Sequence, residues 1–328
     1  MKIHLVKRMT EKFEIWDAHV HFFSFNFFKT LIKIKGEETR LGDEFTALKE
    51  RYGIEAPPVS PVQLARRWIE EMQKYGISKI VLLASIPEDT LSVSTAIVAF
   101  PDKFIGFFTL NPLSENVDLE IKRAVENMGM KGFILFPALY HIHVNDELLE
   151  RVYIIAEEYR LVIFAHFGIL KIPVREAIGL RDQIDISYAN PTDLHRVAVR
   201  HPGINFIIPH FGAGYFQEVL MLGMQCKNIY VDTSSSNSWI KVLPYKIDLK
   251  TVFAKAIDVF GVDRVIFGTD SGIFPQGYRI DILNQQLEIL NELGLSNSEI
   301  QKILSGNIKR LLGFVEEKPN SVKMEQNF

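Results

Sequence analysis

Eight short apolar segments recur along the sequence, and longer amphipathic segments separate them. Each short segment is nearly continuous in branched and aromatic residues, which is typical of strands buried on both faces of a sheet. Strands that alternate with helices indicate a parallel sheet, and eight repeats over 328 residues fit a (β/α)8 TIM barrel better than a doubly wound sheet. The predicted strands are residues 13–22, 79–85, 104–110, 131–137, 161–167, 205–211, 228–234 and 264–270.

The segments between the strands carry the end signals of helices. The first of them begins with Pro61 and ends at Gly76, the residues expected at a helix start and stop. The predicted helices cover residues 61–76, 114–129, 145–160, 190–203, 248–261, 278–293 and 296–312.

No linker or low-complexity segment divides the chain. We therefore expect a single α/β domain over residues 1–328, with the barrel at about 13–313 and a loose polar tail at 314–328. Two connections are long: a helical and aromatic insertion at 22–60 after the first strand, and residues 168–190 after the fifth. Both follow the carboxyl end of a strand, where barrels build their active sites.

Composition excludes several classes of partner. The net charge of −3 gives no reason to expect nucleic acid or an anionic membrane surface. No segment approaches the ~20 uncharged apolar residues of a membrane span. The single cysteine, Cys226, cannot form an internal disulfide, and the N-terminus does not resemble a signal peptide. We expect a cytoplasmic protein that acts on a small molecule.

Polar side chains interrupt the apolar strands at one end. In "EIWDAHVHFF", residues 14–23, alternation puts Asp17, His19 and His21 on one strand face, and two imidazoles on one face present two nitrogen donors to one cation. A lone histidine at a strand end is more often structural, but these residues recur on four strands whose ends converge in a barrel. The members that predict a metal site are His19, His21, His166, His210 and Asp270. Imidazoles with a carboxylate suit zinc best, ahead of iron, manganese or cobalt.

The motifs "DAHVH", "FAHFG", "PHFGAG" and "FGTDSGIFP" resemble the amidohydrolase superfamily. The similarity is to the amidohydrolase-related branch, which includes aminocarboxymuconate-semialdehyde decarboxylase and related metal-dependent hydrolases, and it runs from about Phe13 to Gly313. The resemblance implies that His19, His21, His166 and Asp270 bind the metal. It also implies catalytic roles for His210, which orients water or polarises the substrate, and for Asp270, which accepts a proton.

The fourth strand departs from the pattern of binuclear relatives. Those relatives carry a carboxylated lysine at its end, whereas this sequence reads "GFILFP" there. The resemblance therefore implies one divalent ion, with zinc expected.

The resemblance leaves the reaction open. Hydrolysis of a small, possibly cyclic, ester, lactone or amide of a carboxylic acid by metal-activated water is favoured. Non-oxidative decarboxylation of an aromatic or unsaturated acid with the same ligands is the alternative, and a barrel that binds a ligand without catalysis is a further one. A homodimer is expected only from the resemblance.

Candidate substrate contacts lie in the connections. His143 belongs to a second H-x-H, and Ser234 follows the seventh strand among hydroxyl residues. Phe22 opens a phenylalanine-rich stretch that fits either a lid over the mouth or an oligomer interface. Arginines of the long connections, Arg51 first among them, are candidates to bind a substrate carboxylate. Ordinary solvated surface arginines would give the same sequence pattern. The others are Arg40, Arg175 and Arg181.

Overall fold

The computed structural model of the protein describes residues 12–36, 41–181, 183–235 and 237–314. The predicted tail beyond Phe314 and the candidate Arg40 lie outside the described residues. Eight parallel strands pair in chain order from β1 to β8 in one sheet. They are β1 (Trp16–His21), β2 (Lys79–Leu83), β3 (Phe104–Thr109), β4 (Gly132–Leu135), β5 (Val162–Ala165), β6 (Asn205–Ile208), β7 (Ile229–Asp232) and β8 (Val265–Ile266).

Backbone hydrogen bonds bring the last strand back to the first. The amide of Ala18 donates to Phe267 O at 3.1 Å, and the amide of His21 donates to Ser271 O at 2.7 Å. Val20 and Ser271 form a parallel bridge. The predicted (β/α)8 barrel is confirmed, and each of the eight predicted strands contains an observed strand shorter than itself.

Helices surround the sheet and alternate with its strands. Gly36 and Gly76 close two of them in the left-handed conformation that glycine adopts most readily. The described helices are α1 (Phe25–Lys35), α2 (Leu41–Tyr52), α3 (Pro61–Tyr75), α4 (Thr90–Ala99), α5 (Val117–Glu126), α6 (Pro137–Tyr140), α7 (Glu150–Glu158), α8 (Pro173–Ala177), α9 (Leu194–Arg200), α10 (Phe216–Gln225), α11 (Leu249–Phe260), α12 (Ile280–Glu292), α13 (Asn297–Gln301) and α14 (Asn307–Leu311). Within the described ranges, no helix has the length and apolar character needed to cross a membrane.

Two apolar layers hold the barrel together. The inner layer fills the barrel with side chains such as Val81, Phe107 and Ile207. The outer layer packs the other face of the strands against the helices and includes Trp68 and Phe253. Both faces of the strands are therefore buried, which explains why they read as continuous apolar runs.

A register shift in β1 changes which side chains share a face. The shift lies between Asp17 and Val20 in the pairing with β2. Trp16 and Ala18 belong to the inner layer, whereas Val20 and Phe22 belong to the outer one. The strict alternation expected from the sequence is therefore broken, and Asp17 is separated from the two histidines. Its carboxylate instead accepts hydrogen bonds from the backbone amides of His19 at 3.0 Å and Thr269 at 3.1 Å.

The insertion after β1 and the connection after β5 pack on each other. A third apolar cluster joins Phe27, Phe28 and Leu31 of α1 to Val174 and Ile178 of the β5 connection. Since both connections leave from the carboxyl ends of their strands, they cover the same end of the barrel. Of the two roles considered for the phenylalanine-rich stretch, this packing supports that of a cover over the mouth.

Candidate active site

Three of the predicted metal ligands meet at the carboxyl end of the barrel. Nε2 of His21 lies 3.2 Å from Oδ1 of Asp270, and Nε2 of His19 lies 3.7 Å from the same oxygen. One ligand atom from each of the three residues lies within 4.8 Å of those of the other two. A backbone hydrogen bond from the Asp270 amide to His19 O, 2.9 Å, fixes the loop after β8 against β1.

The other ring nitrogens of both histidines are already engaged. Nδ1 of His19 lies 2.7 Å from Oδ2 of Asp232, at the end of β7, and Nδ1 of His21 lies 2.7 Å from the Ser85 hydroxyl. We assign the imidazole proton to Nδ1 in both rings, because a carboxylate only accepts and a hydroxyl also accepts. The lone pairs on Nε2 then point at the space beside Asp270, the arrangement that a metal-binding histidine requires.

His210 and His166 lie beside this group. The backbone is left-handed at His210 and Phe211, with φ of 56° and 54°, and this turn follows β6 directly. The His210 ring lies 5.0 Å from that of His19 and 5.1 Å from that of His166, and its Nδ1 lies 2.8 Å from the Ser234 hydroxyl.

His166 stands apart from the group of three. It is not a member of either of the two ligand groups found among the described residues. Its Nδ1 is buried and has no hydrogen-bond partner in the described part of the chain. Burial, together with the neighbouring His210 and His19, lowers its pKa well below the ordinary value. His166 is therefore neutral and keeps a nitrogen free to bind a ligand.

Burial and neighbouring charges set the protonation of the remaining groups. Burial raises the pKa of Asp270, but the hydrogen bond to His21 and the charges of His210 and His19 outweigh it and hold that pKa below its usual range. Burial lowers the pKa of His210 despite the attraction of Asp270. Burial also lowers the pKa of His19, but the charge and hydrogen bond of Asp232 raise it above the ordinary value. The site thus holds an ionised carboxylate beside a neutral imidazole.

The donor set fits a divalent cation. Two imidazole nitrogens and a carboxylate oxygen converge, and their rings are oriented by Asp232 and Ser85. Nitrogen and oxygen ligands of this kind suit zinc and neighbouring transition metals. A second group, His19 with His210 and Asp232, is also close enough, but its nitrogen and oxygen atoms bond to one another and to Ser234. The first group is the one that opens to the cavity.

A cavity of about 690 Å³ lies over these residues. His19, His21, His166, His210 and Asp270 all line it. More than half of the other lining side chains are aliphatic or aromatic, and they come from the barrel mouth, from α1 and from the connections after β5 and β7. The ring of Phe23 stacks on that of His21 at 5.1 Å. A cavity of this size and polarity is typical of a small-molecule site.

The structure does not place the four predicted substrate contacts in the lining of this cavity. Phe22 is wholly buried in the outer apolar layer, because the register shift in β1 turns it toward the helices, and Phe23 lines the cavity instead. Arg51 is exposed on α2. His143 is about half exposed and pairs with Asp193 at 2.8 Å. Ser234 is wholly buried behind the histidines, where it bonds to His210.

The sequence reasoning missed Asp232. This carboxylate is wholly buried, and burial would raise its pKa, but the charge and hydrogen bond of His19 lower it. Its Oδ1 accepts the amide of Ser234 at 2.6 Å and that of His210 at 3.4 Å. The available signal was an acid at the end of a strand whose other residues, "IYV", are aliphatic or aromatic. Among the other arginines considered, Arg175 lines the cavity.

Comparison with known proteins identifies a family and several related folds. Residues 16–314 match the model of the family described as Amidohydrolase. A search of curated proteins gives no match.

Three solved structures illustrate the fold. An uncharacterised TIM-barrel protein from Bordetella bronchiseptica is 21% identical with a TM-score of 0.63, over 92% of this chain and 98% of that one. A 5-carboxyvanillate decarboxylase from Novosphingobium aromaticivorans, complexed with manganese and 4-hydroxy-3-methoxy-5-nitrobenzoic acid, is 16% identical with a TM-score of 0.62, over 92% and 96%. A probable 2-pyrone-4,6-dicarboxylic acid hydrolase from Acinetobacter baumannii, with citric acid bound, is 14% identical with a TM-score of 0.57, over 92% and 100%.

Proposed function

Because this chain belongs to the amidohydrolase family, whose members are metal-dependent enzymes, we propose that it hydrolyses an ester, lactone or amide of a carboxylic acid with one divalent cation. The observation that carries the proposal is the convergence of His19, His21 and Asp270 on one point of an apolar cavity. The family match and the folds of a decarboxylase and a hydrolase support metal-dependent catalysis in general.

We assign the cation to His19, His21 and Asp270, with His166 as the fourth ligand. The free, buried Nδ1 of His166 supports its inclusion, because an unpaired polar atom in such a position is costly unless a ligand satisfies it. Three imidazoles and one carboxylate without a thiolate favour zinc. Manganese is the alternative, since it accompanies one of the similar structures.

The cation would supply Lewis acidity, which makes water more acidic and polarises a carbonyl group. Asp270 is ionised, because its pKa lies below the usual range, and it lines the cavity beside His21. It is therefore the base that accepts a proton from the attacking water. The apolar walls exclude bulk water and strengthen the electrostatic contacts inside.

His210 contributes as a neutral hydrogen-bond donor. His19 directs its Nδ1 proton to Asp232, so we assign the Ser234 hydroxyl as the donor to Nδ1 of His210. The proton of His210 then resides on Nε2, where it can bond to the carbonyl oxygen of a substrate in the cavity. Its lowered pKa keeps the ring neutral, so that it stabilises developing negative charge without adding a proton beforehand.

Decarboxylation is the second candidate, and the apolar lining favours it. A carboxylate held among residues such as Phe136 and Phe164 loses solvation, which destabilises its compact charge relative to the dispersed charge of a carbanion-like transition state. The same ligands would hold the substrate in this reaction.

Metal analysis and isotope labelling test the proposal. We expect about one metal ion per chain in the purified protein, and we expect His19→Ala to lose it while His143→Ala, a surface H-x-H histidine, keeps it. A panel of lactones, esters, amides and unsaturated acids is then incubated in ¹⁸O-labelled water. Hydrolysis incorporates the label into the product acid, whereas carbon dioxide release without incorporation would identify the decarboxylase. Absence of stoichiometric metal in the wild-type protein would refute both.

A further inference from the structure

The outer part of the cavity differs from the metal end in both polarity and charge. Besides the proposed ligands, the uncharged polar groups of the lining are His210, Ser85, Ser235, Ser238 and Gln276, and Ser85 is already bonded to His21. Farther out, the walls are formed by α1 and by the connections after β5 and β7, which contribute mostly apolar side chains. They include Phe27, Leu31, Ile169, Leu170, Trp239 and Val242. A substrate that fills this space needs an extended apolar body, because apolar side chains form most of these walls, and their uncharged polar members are Ser235 and Ser238.

Three cations stand at the edge of this apolar region. Lys171, Arg175 and Lys241 line the cavity, and both lysines are exposed while Arg175 is partly buried. They therefore lie at its outer rim and not beside the buried histidines. Among the described lining residues, Asp270 is the only acid, and its carboxylate lies against His19 and His21, so no other carboxylate of the lining balances these cations.

The rim cations are available to a ligand. Within the described ranges, no ion pair joins Lys171, Arg175 or Lys241 to an acid, and the guanidinium of Arg175 makes only a long hydrogen bond, 3.4 Å, to the Gln183 side chain. The chain as a whole carries a net charge of −3, so a local group of three cations runs against the overall balance. Cations collected at the mouth of a low-dielectric cavity attract and orient an anion.

We propose that the cavity binds an amphiphilic organic anion. Its apolar body, larger than a single ring, lies along α1 and the β5 and β7 connections, and its anionic group lies at Arg175 and Lys241. Only the position of the reacting group, at the opposite end beside the histidines, rests on the proposed function. The substrate is then an ester, lactone, amide or acid that reacts at one end and carries a negative charge at the other.

The volume of the cavity agrees with this assignment. At about 690 Å³ it lies in the upper half of the range of ~300–1,000 Å³ that holds drug-sized ligands. Each methylene that enters an apolar site contributes about 0.8 kcal/mol, so affinity should rise about fourfold per added carbon while the walls still have space. A site built for one small acid would not show this dependence.

Calorimetric titration of the metal-loaded full chain tests the proposal. The probes are butane-, hexane- and octanesulfonate below their micellar concentrations, because a sulfonate coordinates metal poorly and so reports on the rim. Octanol is the uncharged probe with the same body. We expect affinity to rise about fourfold per methylene through the sulfonate series, and we expect octanesulfonate to bind at least tenfold more tightly than octanol.

Rim variants locate the charge contact. Arg175→Gln and Lys241→Glu should each weaken octanesulfonate at least fivefold and leave octanol unchanged, whereas Arg51→Gln, an exposed arginine on α2 outside the cavity lining, should change neither. Equal affinity for butane- and octanesulfonate, equal affinity for octanol and octanesulfonate, or equal effects of Arg175→Gln and Arg51→Gln would each overturn the proposal.

The same titrations on chelator-treated protein separate this proposal from the proposed function. If the protein as purified holds no stoichiometric metal but the chain-length and charge dependence persist, the enzyme assignment fails and the binding assignment stands. If metal is present and stoichiometric but the dependence is absent, the binding assignment fails alone.

Discussion

Replacing Asp232 by asparagine should weaken metal binding without unfolding the protein. The Asp232 carboxylate fixes the proton of His19 on Nδ1, 2.7 Å away, and so leaves Nε2 free for the cation. Asparagine has nearly the same shape but one acceptor oxygen in place of two. In the native site both oxygens accept, Oδ2 from His19 and Oδ1 from the amides of Ser234 and His210.

Neither orientation of the new amide satisfies this environment. With its oxygen toward Ser234, its NH2 group faces His19, which must then accept at Nδ1 and carry its proton on Nε2. With its oxygen toward His19, the NH2 group opposes the Ser234 amide at the present Oδ1 position, 2.6 Å from that nitrogen. The first is the less costly, so His19 loses its function as a ligand in the predominant tautomer.

Loss of such a support typically lowers metal affinity 10–100-fold. This corresponds to about 1.4–2.8 kcal/mol, since each factor of ten is about 1.4 kcal/mol. Competition with a chelator of known affinity measures the change, and thermal unfolding verifies that the variant is folded. Asp193→Asn is the matched control, because Asp193 makes a similar contact, 2.8 Å, to Nδ1 of His143, and both residues lie outside the cavity lining. Equal metal affinities of Asp232→Asn, Asp193→Asn and the wild type would refute the reasoning.

Three further predictions concern stability and are measured by urea unfolding. Gly168→Ala should lower the free energy of unfolding by about 2–4 kcal/mol, because the backbone there has a left-handed φ of 70° and the added methyl would lie 2.3 Å from the carbonyl oxygen of Ala213. Gly179→Ala is the control: its φ is 75° but the space around it is open, so it should cost only about 1 kcal/mol. Equal costs for the two variants would contradict the steric argument. Arg264→Met should cost at least about 3 kcal/mol, since the buried guanidinium donates to five backbone carbonyls that no water would replace, and a cost under 1 kcal/mol would show that these bonds contribute little net stability. Burial raises the pKa of Asp89 to about 6, so the folded state binds this proton more tightly than the unfolded state, and stability from this group is lost as pH rises from about 4 through 6. Asp89→Asn should remove up to about 3 kcal/mol of that pH dependence. If the difference in free energy of unfolding between the wild type and the variant is the same at pH 4 and pH 7, the prediction is wrong.

The strand count could be read from the sequence because it depends on local composition. Strands buried on both faces need continuous apolar residues, and each of the eight apolar runs contains an observed strand. The predicted carboxyl ends of the strands were too late in the sequence. After β6, for example, Pro209 and Phe211 continue the apolar run although the strand has ended and the chain enters a left-handed turn. Helix α4 was missed because its sequence, "TLSVSTAIVA", does not confine its apolar residues to the three- and four-residue spacing that marks a helix with one buried face, and the helix is buried on most sides.

The sequence by itself determined which polar residues lie at the barrel mouth, because His19, His21 and Asp270 interrupt or follow segments that are otherwise apolar. Tertiary structure decided which neighbours act with them. The register shift in β1 separates Asp17 from the histidines and places Phe23, and not Phe22, in the cavity lining. The shift arises from the pairing of β1 with its neighbour, so a rule based on alternation along one strand cannot predict it. The contact of Asp232 with His19 spans 213 positions along the chain, so only the closed barrel brings that carboxylate to the ring whose proton it fixes.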